Sequence, residues 1–171
     1  MKSWGKYIWV LLAPLLQTST LFQHIRLWGV GPDLILILLV YISLRSTPDE
    51  ALSLGLCLGF IEDSLSGGLF GLNILTKTLI AYNISRFGQR IDVGSPTSQI
   101  FFVVIATLTD GLFSIFVLRL CNLWEATGPA LAYVILPQTI YNGLLTLMLI
   151  PMWSRLKLSR ERGSGPVYRY T

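Results

Sequence analysis

The residues with chemistry in them are few, and most fall inside apolar runs. The densest stretch is Gly55-Leu56-Cys57-Leu58-Gly59-Phe60-Ile61-Glu62-Asp63-Ser64-Leu65-Ser66-Gly67-Gly68-Leu69-Phe70-Gly71. Further along stand Asn73 and Lys77, then Thr107, Thr109, Asp110 and Ser114, then Pro137, Tyr141 and Asn142. A polar or charged side chain within a hydrocarbon-facing segment is costly unless it is paired or faces a cavity. On a helix, Asn73 and Lys77 share a face, and by depth Lys77 is within reach of Asp63 or Glu62 on the preceding helix. The expectation is an ion pair, with Asp63 the preferred partner and Glu62 the second choice. The alternative leaves both acids at the outer water interface while Lys77 snorkels outward. Asp110 is the deepest carboxyl by position and should face the interior, as a proton or ligand site or, preferably, as a hydrogen-bonded structural acid. Pro137 removes a backbone donor and should kink its helix, and Asn142, about one turn on, can bond across helices.

Nothing in this set makes a catalytic constellation. The single histidine, His24, has no evident partner for a Ser/His/Asp or Cys/His arrangement. Phosphate-binding and dinucleotide glycine patterns are missing, and no two acids are spaced for acid–base work. Without a Cys/His cluster a zinc site has no support, and Cys57 and Cys121 are expected to be small buried hydrophobes. The sequence therefore calls for no cofactor, no metal and no enzymatic activity.

The elements that must position these residues are written in the hydropathy. The 171 residues are 53% hydrophobic and only 13% charged, with mean hydropathy +0.62, where a soluble domain carries about a quarter charged residues. Apolar runs span about 4–22, 30–44, 51–66, 69–85, 97–118 and 129–153. A crossing helix needs about 20 residues, so the three central runs are short, and a re-entrant turn around 66–71 is one way to accommodate them. The first run reads as an uncleaved signal-anchor helix behind Lys2 and Lys6. The expected architecture is all-α: a compact bundle of about six transmembrane helices over residues 1–153, followed by a basic cytoplasmic tail, 154–171, able to touch anionic lipid.

Orientation follows from Lys and Arg. With the N-terminus inside, the inner face receives Lys2, Lys6, Arg45, Arg86, Arg90, Arg155, Lys157, Arg160, Arg162 and Arg169, and the outer face only Arg26 and Arg119. Both ends are expected in the cytoplasm, and this asymmetry accounts for the net charge of +4 without a nucleic-acid partner.

Within the third run, Ala51, Gly55, Gly59 and Asp63 recur every four residues and form one slowly drifting stripe. Its small residues allow close helix approach, within the bundle or against a partner. The Ser66-Gly67-Gly68 turn calls for glycine's permissive backbone.

These features resemble a known family. Pro32-Asp33-Leu34 opens the second run; Gly55-x-x-x-Gly59-Phe60, the acid Asp63 and Ser66-Gly67-Gly68-Leu69-Phe70-Gly71-Leu72 follow; Pro137, Asn142 and Pro151 mark the last span before a basic tail. The pattern is similar to MreD, the bacterial rod-shape-determining membrane protein family, over essentially the whole chain. Glu62 departs from it, standing where the pattern has an apolar residue. The resemblance implies a non-enzymatic scaffold of the cell-elongation machinery in the bacterial inner membrane, controlling lateral peptidoglycan synthesis. Its implied partners are MreC directly, and MreB, a RodA-type polymerase and a class B penicillin-binding protein in the wider complex, with a homodimer open. It also implies a fold like the substrate-binding membrane subunits of energy-coupling-factor transporters, which keeps open an alternative: a small-molecule, vitamin-type binding subunit. Asn73, Lys77 and Asp110 would serve that role.

Overall fold

The computed structural model describes Pro14, Gln17 and residues 30–88, 95–122 and 131–155. The rest of the expected first span, residues 89–94 and 123–130 and nearly all of the basic tail lie outside the described residues. Among the described residues five helices carry the fold: α1 (Leu34–Ser43), α2 (Pro48–Ser66), α3 (Leu72–Gly88), α4 (Pro96–Leu120) and α5 (Leu136–Arg155), the last preceded by a π-helical turn, Leu131–Ile135. Among the described residues α4 is the helix long and apolar enough to cross a bilayer, and Leu34–Ser43 and Tyr133–Leu149 are shorter apolar stretches.

α1 is the centre. It is apolar on all sides, which suits only a fully enclosed helix, and Ile35 to Ser43 are all buried. It packs on α2, α3, α4 and α5. The 30–44 run is thus helical over ten residues, about 15 Å long, because Pro32 and Asp33 hold its start in extended backbone. Asp33 is the N-cap, accepting from the Leu36 amide at 2.9 Å. At the other end the Arg45 guanidinium lies 3.9 Å from the centre of the Tyr41 ring and donates to the Tyr41 carbonyl.

α2 starts on a capping box, Thr47 and Glu50 bonding each other's backbone, with Pro48 in the first turn. It ends at Gly67, whose φ of +64° closes the helix in the left-handed region. The turn is finished by Gly71 at φ +100°, and α3 returns antiparallel to α2 in the most extensive pairing among the described helices.

The α2–α3 seam consumes the small-residue stripe. A Cβ on Gly55 would sit 2.6 Å from the Thr78 Cα and 2.8 Å from the Lys77 carbonyl oxygen; one on Gly59 would sit 2.6 Å from the Ile74 Cα and the Asn73 carbonyl oxygen. Moving one helical turn up α2 moves the contact one turn down α3, the signature of an antiparallel close crossing. A Cβ on Gly68 would make only an ordinary contact, 3.7 Å from Ser66 Oγ, and its φ is not in the left-handed region, so the turn's demand for glycine falls on Gly67 and Gly71. Both cysteines depart from expectation. Cys57 and Cys121 are free and exposed; Cys57 belongs to the outer face of α2 with Leu52, Leu56 and Phe60, all exposed.

A π-helical turn, Leu131–Ile135, leads into the helix that carries Pro137. Proline has no N–H for the carbonyl four residues back, and the ladder changes register over Leu131–Ile135 just ahead of it.

Candidate functional site: a buried ion cluster

Lys77 is the largest side chain buried completely in the described bundle. An ammonium shut away from water must be compensated by charge and hydrogen bonds, and two acids do so. Its Nζ lies 2.7 Å from Glu62 Oε2 and 3.2 Å from Asp33 Oδ2. Lys77 thereby ties α3 to α2 and to the start of α1. The Asp33 carboxylate divides its work, one oxygen facing Lys77 and the other capping α1, where the helix dipole also favours negative charge.

The network continues into the other helices. The Asp33 amide donates to Asn142 Oδ1 at 2.9 Å, and Asn142 Nδ2 donates to Thr107 Oγ1 at 3.0 Å. Thr107 passes its own hydrogen to the Val103 carbonyl at 2.9 Å. Asn142, Thr146 and Thr107 are all buried, and the Thr146 hydroxyl donates to the Asn142 carbonyl at 2.6 Å. Outside this set, the Ile35 amide donates to Gln17 Oε1 at 3.1 Å.

Asp110, also on α4, approaches from another side. Its carboxyl meets the Thr76 hydroxyl and lies within the field of Lys77 and Asp33. Asp110 Oδ1 is closed off from solvent and has no hydrogen-bond partner among the described residues.

Asp63 does something else. Its Oδ2 accepts from the amides of Gly71 at 2.9 Å and Ile74 at 3.0 Å; its Oδ1 accepts from the amide of Asn73 at 3.1 Å and from Asn73 Nδ2 at 3.0 Å. The first turn of any helix has amides without partners, and here a carboxylate from the neighbouring helix supplies them at the positive end of the α3 dipole. With four donors on two oxygens, Asp63 has nothing left for Lys77. Sequence reasoning preferred Asp63 as the ion-pair partner; the structure gives that place to Glu62. The two are consecutive, so their side chains leave α2 about 100° apart, Asp63 along the glycine stripe and Glu62 toward α1.

The expected intramembrane polar residues thus divide. Lys77 and Asn142 join one network, with Asp110 beside it, while Asp63 and Asn73 lock the α2–α3 turn. Asp33, foreseen only as part of a motif, is the hub. Its signal was available: an acid right after a proline and before an apolar run is a helix N-cap. Gly55 and Gly59 set the distance between α2 and α3 that lets Glu62 reach Lys77.

A cavity among the described helices lies elsewhere. About 450 Å³ opens between α3 and α4, lined by Leu79, Ile80, Phe87, Phe101, Ile105 and Phe113 among others, with Thr76, Asn83 and Thr109 its polar margin. Asn73, Lys77 and Asp110 do not line it. No three His, Cys, Asp or Glu side chains among the described residues are grouped to hold a metal ion.

Leu, Ile and Phe face outward along α2, α3, α4 and α5, while Lys77, Asp33 and Asp63 are enclosed. That inverts the pattern of a water-soluble bundle and, with α4 long and apolar enough to cross a bilayer, fits the class of helical membrane proteins. Within that class the family is specific. The chain matches the family described as rod shape-determining protein MreD over residues 3–158, and it belongs to that family. No curated protein and no solved structure matches it.

Proposed function

We propose that the protein is a non-enzymatic, multi-pass scaffold of the bacterial inner membrane. It crosses about six times with both ends in the cytoplasm, binds MreC and helps to control lateral peptidoglycan synthesis and rod shape. The observation that carries this reading is the family match over 3–158. The site geometry supports it: the buried charges are spent on one another and on helix ends, so the cluster joins helices rather than presenting groups to a substrate.

In this orientation α2 runs outward, α3 returns, and α1 descends to the inner face where Arg45 sits. Asp33 then lies about 15 Å above that face, near mid-membrane, which is where an ion pair among helices has its largest effect on architecture. The ten-to-two excess of Lys and Arg on the inner side supports the same orientation. Contact with MreC, and through it with MreB, the RodA-type polymerase and the class B penicillin-binding protein, falls to outward helix faces, loops and the basic tail.

Depletion of the protein in its host tests the proposal. Cells should lose rod shape and MreC its localisation; rods of unchanged width with MreC in place would refute it. The transporter-subunit alternative predicts direct binding of a vitamin-type molecule by the purified chain.

A further inference from the structure

We propose that Asp110 is the proton-binding site of the cluster: in the folded bundle at neutral pH it is a neutral carboxylic acid beside the Thr76 hydroxyl, while Asp33 and Glu62 hold the contacts to Lys77. The argument is one of charge and donors. Three carboxyls, from α1, α2 and α4, surround the one ammonium of α3, and α5 contributes the neutral Asn142. If all were ionised, two negative charges would stay uncompensated in a bundle core, where isolated charge is removed by protonation rather than tolerated.

The three acids are not equally placed to carry the proton. Glu62 has the shortest contact with Lys77, at 2.7 Å. Asp33 has Lys77 at 3.2 Å, the Leu36 amide at 2.9 Å and the α1 dipole. Asp110 has neither a cation nor an amide at hydrogen-bond distance among the described residues, and its Oδ1 is buried and bare. Its neighbour can receive a hydrogen. The Thr76 hydroxyl gives its own to the Leu72 carbonyl at 3.0 Å, leaving lone pairs that repel a carboxylate but accept from a carboxylic acid. Loss of the proton would set an unpaired charge between α3 and α4, so their packing depends on proton occupancy.

Infrared spectroscopy of the full chain in lipid nanodiscs tests this. At neutral pH the wild type should show the carbonyl stretch of an un-ionised carboxyl, shifted by an isotope-labelled aspartate carboxyl and unmoved by labelled glutamate. Asp110→Asn should abolish the band. Asp110→Glu, a second variant should the first not fold, should move it to the glutamate position. No band in the wild type, a shift with labelled glutamate, or a band surviving either substitution unchanged would overturn the proposal.

Discussion

Lys77, Glu62 and Asp63 show how adjacent charges acquire separate duties. A buried ion pair adds little net stability when intact, but removing one partner strands the other, at about 3–5 kcal/mol. Lys77→Met is therefore expected to destabilise the protein by about that amount, read as a fall in thermal midpoint in detergent. Exchange of the pair, Glu62→Lys with Lys77→Glu, should recover part of what either single change loses. Asp63→Lys with Lys77→Asp should recover nothing, because Asp63 answers amides rather than Lys77. Asp63→Ala leaves four donors without an acceptor, and with an unmet buried group costing about 1–3 kcal/mol, it should be at least as damaging as Lys77→Met in the same assay.

At the scale of elements, the α2–α3 hairpin is fixed by glycine at two kinds of position. Gly55 and Gly59 are required by proximity, since an added methyl meets backbone, which cannot swing aside as a side chain can. Gly59→Ala should cost about 1–3 kcal/mol, the range for overpacking. Gly67 is required by conformation, and Gly67→Ala should cost about 1–2 kcal/mol through its left-handed backbone. Gly68→Ala should be silent to within about 0.5 kcal/mol, because its φ is ordinary and an added methyl makes only an ordinary contact, 3.7 Å from Ser66 Oγ. Thermal midpoints of the three variants measured side by side check that order. The α1 helix depends on its neighbours: ten residues are too few to hold a helix alone, and its polar start is satisfied by Asp33 and its partner Asn142.

For the whole molecule, the two exposed cysteines report on topology. A membrane-impermeant maleimide reaches a thiol only where water does. Cys57, midway along α2 on its outer face, should resist a membrane-impermeant maleimide added to either side. Cys121, at the end of α4, should label from the outside of intact cells. Labelling of Cys121 only from the cytoplasmic side would reverse the proposed orientation.

The sequence by itself determined the class and the family-bearing pattern: 53% hydrophobic residues in runs leave no soluble core to build, and the Gly55/Gly59 spacing and the Gly67 turn announce a tight helical hairpin, because helical periodicity and backbone sterics act over a few residues. Pairing acts across the chain, and there sequence was blind. Lys77 meets Asp33 from 44 positions away and Asn142 meets Asp33 from 109. Whether Glu62 or its neighbour Asp63 faced Lys77 turned on a rotation of about 100° around α2. Only the packed bundle sets that angle, because the glycine stripe must face α3 and so carries Asp63 to the α3 amides and Glu62 to the lysine.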